Sequence, residues 1–306
     1  VVITWSLPLR IVQRNKLLFD SKVWQGHFMD IITIQSRVTW GYVGNAIAVP
    51  ILQALGTNAW AVNTVRLSHH PGHGTPWRRA ADTDELSGLL SGAIDKAGPS
   101  VGVLMGYLGT ADQGRAALRS IEEHQASGHH IPFYLDPAFG DDPDGTYVDH
   151  TIVEFYRDTA IQHADVVMPN RYELATLSGH DVASVSDAIV AARLLISSGC
   201  KSVMASSIPA SGDTLANVFI GCEATYMCES KRIPLRSKGT GDLLSAAFCG
   251  YHSAGHTPDE SLGLASAIVQ TACAKASADD LVELDLIDLL DEIHNGITPH
   301  AVTQLD

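Results

Sequence analysis

From residue 29 onward, short apolar runs alternate with segments of helical length, and this alternation constrains the fold more than any other feature. Runs of strand length lie at 31–35, 59–63, 101–106, 131–135, 164–168, 201–205 and 215–220. Helical periodicity occupies 44–55, 84–97, 111–127, 150–163, 170–178, 184–198, 241–254, 259–277 and 285–294, and Gly56, Gly98, Gly128 and Gly199 stand where four of these helices should stop. Strands separated by helices are too far apart in sequence for tight hairpins. They pair in parallel through crossovers, so this order predicts an α/β fold with a doubly wound, mostly parallel sheet flanked by helices. With 306 residues, 45% of them hydrophobic, the chain has ample core to bury.

Charge narrows the partners. The formal net charge is −14, and such a field repels nucleic acid and anionic membrane, so neither is expected as a partner. No apolar run approaches the roughly 18 residues of a membrane span. The charge is also unevenly placed: residues 1–28 carry Arg10, Arg14, Lys16 and Lys22 against Asp20, while the rest of the chain carries a net −17. That break, with Met29 directly before the first strand, marks residues 1–28 as an N-terminal extension outside the core. Residues 29–306 are then expected to form a single domain. Five irregularly spaced cysteines (Cys200, Cys222, Cys228, Cys249, Cys273) suit neither a disulfide framework nor a Cys-x-x-Cys zinc site, and a reducing cytoplasm is the expected compartment. The stretch 279–292 holds seven carboxylates and no base, yet Leu281, Leu284, Ile287 and Leu290 keep helical spacing, which predicts a surface helix with a solvated acidic face.

Open α/β sheets bind ligands beyond the carboxyl ends of their strands, so polar residues that follow strands carry the functional signal. Lys238-Gly239-Thr240-Gly241-Asp242 runs directly into a helical segment. Two glycines there let backbone N–H groups gather around an anion at a helix start, with Asp242 beside it; Asp242 as a plain helix cap is the competing reading. Asp136 and Asp141 flank a turn after the strand at 131–135, and Glu173 follows the strand at 164–168. Carboxylates so placed suit Mg²⁺, which takes one or two acids plus substrate phosphates, although taken singly each reads more simply as turn chemistry or a first-turn helix acid. His69, His70 and His73 fall in a loop with Pro71, Gly72 and Gly74 and with no cysteine nearby, a spacing poorly suited to a transition-metal site. Trp60 and Trp77 read as packing residues.

Taken together in order, the stretches Ile34-Gln35-Ser36-Arg37-Val38-Thr39-Trp40-Gly41-Tyr42-Val43-Gly44-Asn45, Asn63 to His70, Gly106 to Gly109, Asp136 to Asp141, Pro169 to Glu173 and Gly239 to Asp242 resemble the pyridoxal kinases, within the ribokinase-like kinases. Coverage runs from Met29 to the end. The resemblance implies a ribokinase-like fold, phosphorylation of the 5′-hydroxymethyl group of pyridoxal-type substrates by ATP, Mg²⁺ with the nucleotide, and a homodimer; it leaves a monovalent cation open. Asp242 matches the general base, with Gly239, Thr240 and Gly241 as the anion hole. Ser36, His70, Pro71, Gly72 and Tyr107 match the substrate side. Asp136, Asp141, Tyr147, Met168, Glu173, Ser206 and Lys238 match the ATP side, with Asp136 and Glu173 toward the Mg²⁺ through water. The chain departs from the family pattern at Arg37, Pro71, Met168 and Ser237-Lys238, which places substrate contacts in question more than phosphoryl transfer. A related hydroxymethylpyrimidine kinase and a non-catalytic pyridoxal phosphate binder are the alternatives.

Overall fold

The computed structural model describes residues 29–126 and 128–305; the segment 1–28, expected to lie outside the core, falls outside the described residues. In chain order the elements are β1 (Asp30–Trp40), α1 (Asn45–Ala54), β2 (Ala59–His69), β3 (Arg78–Ala80), α2 (Thr83–Ala97), β4 (Val101–Met105), α3 (Ala111–Gln125) and β5 (Phe133–Leu135). A small hairpin of β6 (Gly140–Asp141) and β7 (Gly145–Thr146) follows, then α4 (His150–Asp158), β8 (Val166–Val167), α5 (Arg171–Ser178), α6 (Val185–Ser197) and β9 (Ser202–Pro209). The chain continues through β10 (Thr214–Ile220), β11 (Thr225–Lys231), α7 (Thr240–Ser253), α8 (Pro258–Ala278), α9 (Leu286–Asn295) and β12 (Thr303–Leu305).

Ten strands form one sheet in the order β12-β11-β10-β9-β8-β5-β4-β1-β2-β3. The six central strands from β9 to β2 pair in parallel, and β3 and β10 to β12 are antiparallel additions at the two ends. Alternate side chains of each central strand feed opposite faces, as period-two geometry requires. Ile32, Ile34, Val103 and Leu135 join an apolar core with helices α2 to α6. Ile31, Leu104 and Tyr134 join a second core with α1, α7, α8 and α9. Helices on both faces make the sheet doubly wound, as the alternation of runs predicts. Among the described residues no helix is long and apolar enough to cross a membrane.

The differences lie mostly at sheet edges. Strands β3, β11 and β12 have no counterpart in the sequence reading, because none carries the continuous apolar run of a strand buried on both faces. β1 and β2 extend to Trp40 and His69, past their apolar portions, and with β3 they form a projecting ribbon around Val38, Val43, Val65 and Leu67. Trp77 beside this ribbon and Trp60 at the opposite end of β2, whose indole N–H donates to Asp30, are not packing residues: they are 63% and 49% exposed, since the outer faces of edge strands have nothing above them. The helix expected over 150–163 ends at Asp158 and continues as a 3-10 turn, Ala160–His163.

Candidate active site

α7 begins at the carboxyl edge of the sheet, and its N-cap is Gly239, with no side-chain cap hydrogen bond. Asp242 is therefore the third residue of the first turn, and the plain-cap reading is corrected. Gly239 has φ 93°, and a Cβ there would stand 2.2 Å from the carbonyl oxygen of Tyr42, so only glycine fits. A Cβ on Gly241 would meet nothing within 4 Å. The first turn thus presents unobstructed backbone N–H groups and the positive end of the helix dipole, the requirements of an anion cradle.

Acids converge on this turn. Asp136 follows β5, is 6% exposed, and its N–H is fixed by Met105 O at 2.8 Å. Its pKa is raised by burial first and then by the charge of Asp242, against a lowering by the Ser245 hydroxyl. Burial raises Asp242 to about 6, opposed by the backbone amide of Gly44. Glu173, 2% exposed, is raised by burial and then by Asp136, while the amides of Asn170, Phe139 and Gly140 favour its charged form. Asp136 thus stands between two other carboxylates, Asp242 and Glu173, an arrangement that fits a site that receives positive charge. Glu173 is also a brace. Its Oε1 accepts the N–H of Phe139 at 3.0 Å and of Gly140 at 3.4 Å, its Oε2 that of Asn170 at 2.9 Å, and Asn170 Oδ1 caps α5 in return. The loop carrying Asp136 is thereby tied to α5.

The resident donors fit a hydrated Mg²⁺ arriving with a nucleotide. The Asp136 carboxylate faces Asp242 and the Ser245 hydroxyl, whereas that of Glu173 is taken up by three backbone donors and is better placed behind it. Among the described residues no cluster of three or more His, Cys, Asp and Glu could hold a metal alone, and Mg²⁺ bound partly by phosphates needs none.

On the other side of α7, Ser36 stands at a register irregularity of β1 between Gln35 and Arg37, 7% exposed, close against Gly44. Tyr107 follows β4 and its ring stacks over Tyr147, centroids 6.5 Å apart at 24°. The 3-10 turn Pro71–His73 carries the covering loop. Pro71 and Gly72 are exposed, and His70 Nδ1 accepts the Gly72 N–H at 3.0 Å. His70 is lowered by burial, then by Lys238 and His73, so its ring is neutral near pH 7 with the proton on Nε2. The three histidines do not share one partner: His69 meets Ser68 Oγ at 3.0 Å, while the rings of His70 and His73 meet edge-on with centroids 6.3 Å apart and His73 also meets Glu283. Arg37 is exposed.

The nucleotide-side residues divide. Ser206 (9% exposed) and Thr240 line a cavity of about 170 Å³ together with Gly241, Leu235, Leu244 and Val269. Lys238 pairs with Asp144 at 3.4 Å, drawing the β6–β7 hairpin, which carries the exposed Asp141, toward the glycine loop. Met168, 4% exposed, packs in the apolar core beside α7 and α8 and does not line this cavity. The sequence reading missed Leu235, Val269 and Ser207. Ser207 has an uncommon φ of 59°, but apolar walls from β11's exit and α8 leave no motif.

Comparison with known proteins places this geometry. The family described as phosphomethylpyrimidine kinase matches residues 101–280. The pyridoxal kinase PdxY of Rubrobacter xylanophilus is 32% identical over 270 residues, 86% of this chain and 93% of that protein. The pyridoxine/pyridoxal/pyridoxamine kinase of Bordetella avium is 30% identical over 83% of this chain and 88% of its own length. Among solved structures, the pyridoxal kinase of Leishmania donovani in complex with ADP and pyridoxamine superposes with a TM-score of 0.82 at 27% identity, covering 91% of this chain and all of that one. Such identity over nearly the full length of a relative, on a sheet and helix start of this form, leaves one conclusion: the chain belongs to the pyridoxal kinase family of the ribokinase-like superfamily.

Proposed function

We propose that the protein transfers the γ-phosphoryl group of ATP to the 5′-hydroxymethyl group of pyridoxal and related B6 vitamers, yielding pyridoxal 5′-phosphate. The observation that carries this reading is Asp242, a carboxylate raised to about 6, one residue beyond an open glycine cradle at the start of α7. Phosphoryl transfer asks mainly for positioning and charge stabilisation. Backbone N–H groups of Thr240 to Asp242 receive the migrating group's negative charge, and Asp242, largely ionised near neutral pH, accepts the hydroxyl proton as the new P–O bond forms. Ser36, His70 and Tyr107 hold the ring-bearing substrate on one side, with Pro71 and Gly72 shaping the loop above it. Ser206, Lys238, Asp141 and Tyr147 border the nucleotide on the other, and Met168 supports that side from the core. Mg²⁺ bound with ATP supplies neutralisation of phosphate charge; Asp136, backed by Glu173, would hold its water shell.

The substrate class rests on the relatives named above, several of which bear pyridoxal, pyridoxine or pyridoxamine in their names. A screen of the purified chain with ATP against these three vitamers and hydroxymethylpyrimidine tests it. Phosphorylation of a B6 vitamer is the expected result; turnover of hydroxymethylpyrimidine alone, or of nothing, contradicts it. We extend the proposal to a homodimer, supported by the exposed edge strand β3 with Trp77 before it and by the exposed Trp40 (52%) at the end of β1, and checked by sedimentation velocity. The five free cysteines support a reducing, cytoplasmic setting.

A further inference from the structure

The acidic stretch after α8 does not behave as one solvated face. α9 starts only at Leu286, and residues 279–285 form an irregular segment. Asp279, Asp285 and Asp288 gather around Lys275, and Asp280 lies 3.5 Å from Arg236. Glu283 turns the other way. Its side chain is 11% exposed, its Oε2 accepts the backbone N–H of Tyr42 at 2.9 Å, and its Oε1 lies 2.5 Å from His73 Nε2.

These contacts join loops that are far apart in sequence. Tyr42 belongs to the loop between β1 and α1, and its carbonyl is the atom against which Gly239 packs. Two residues before Glu283, the carbonyl of Leu281 accepts the Ser237 hydroxyl at 2.8 Å, fixing the approach to the glycine cradle. His73 closes the 3-10 turn of the covering loop, and its ring meets the edge of Trp40 with centroids 5.1 Å apart. Pro71, Gly72 and Gly74 are exposed, so the loop has little apolar burial to hold it in place. One carboxylate therefore connects the covering loop to the wall of the cradle.

We propose that Glu283 is a positioning residue that latches the His70–Gly74 loop over the acceptor substrate through His73, while fixing Tyr42 and with it the start of α7. The proposal rests on the kinase reading for its effect on turnover; the latch itself is a property of the free protein. Holding the loop in its covering geometry before substrate arrives removes an ordering cost from binding, so the latch acts on acceptor affinity more than on the chemical step.

The test uses the full chain with Glu283→Ala, Glu283→Gln, His73→Gln and the Glu283→Ala/His73→Gln double variant. In ligand-free protein, hydrogen exchange of the peptide spanning 69–75 should rise about tenfold or more in the Ala variant and in His73→Gln. With ATP and pyridoxal, KM for pyridoxal should rise about five- to fiftyfold in each single variant, with kcat and KM for ATP within about threefold in His73→Gln, which leaves the Tyr42 contact in place. The double variant should be no worse than the poorer single, because both remove one contact. Gln at 283 keeps an acceptor for Tyr42 and should recover part of the loss relative to Ala. His73 sits on an exposed turn, so its variant remains informative if Glu283→Ala fails to fold. Unchanged exchange overturns the latch, as do additive single effects or an equal rise in both KM values. If the wild-type chain phosphorylates no vitamer, the kinase reading fails while the exchange measurement still decides the latch.

Discussion

The backbone amide of Gly44 faces the carboxylate of Asp242 and favours its ionised form against the burial that raises it. Gly44 is the N-cap of α1 with φ 55°, and a Cβ there would stand 2.2 Å from the carbonyl of Ser36. The substrate-side strand, the start of α1 and the start of α7 thus meet at one carboxylate. Burial alone would leave Asp242 a weaker acid still, and a single donor keeps it within reach of ionisation at neutral pH.

The two glycines of the cradle separate structure from chemistry. Gly239→Ala forces a positive φ on alanine and drives its methyl into Tyr42 O, and should cost about 1–3 kcal/mol of stability together with activity. Gly241→Ala meets no protein atom and should leave melting nearly unchanged, while its methyl group intrudes on the cradle and lowers turnover at least tenfold. Thermal melts and initial rates on both variants check this; equal melting of the two variants contradicts the assignment.

The raised Asp242 also sets a pH dependence. Its folded pKa, about 6, exceeds the usual aspartate value, so between those values the folded chain binds more protons than the unfolded one. Stability from this group is therefore present at the acidic side and is lost as pH rises through about 6. Asp242→Asn should melt a few degrees above wild type at pH 8, with the gain shrinking below pH 6 and gone near pH 4. In the wild type, kcat/KM should rise with pH through the same region. Melting curves from pH 4 to 8 would expose an error of sign directly.

Glu173 is expected to matter mechanically. Glu173→Ala leaves the amides of Phe139, Gly140 and Asn170 without their acceptor, and should destabilise by about 1–3 kcal/mol. The loop carrying Asp136 is then released, so KM for ATP should rise more than KM for pyridoxal. Denaturant melts and paired KM values read both effects.

Pro71 occupies the first position of the 3-10 turn and is exposed, where proline fits and no hydroxyl is available. Pro71→Thr should leave the maximal rate within a few-fold and act mainly on KM for the acceptor, as a uniform binding contact does. Collapse of turnover at unchanged KM contradicts that role.

How far these features were legible in sequence follows from burial. Strands such as Val101–Met105, covered on both faces, are continuous apolar runs and read clearly. Edge strands such as Thr303–Leu305 and its partner Thr225–Lys231 alternate or lie exposed, and give no such run. Asp242 and Asp136 stood out because carboxylates after strands are chemically conspicuous. Leu235 and Val269 did not, since an apolar cavity wall looks like any core residue. Glu283 was hidden among six other acids, and only the loops that surround it distinguish its environment.

The central claim is that Asp242 accepts the acceptor's proton, and one variant tests it most directly. Asp242→Asn preserves size and an oxygen to face the Gly44 amide, but cannot act as a base. Turnover with ATP and pyridoxal should fall about 10²–10⁴-fold, while ATP binding by calorimetry is kept and melting is not lowered. Near-normal turnover in a folded, nucleotide-binding Asp242→Asn protein would contradict the general-base role and the mechanism built on it.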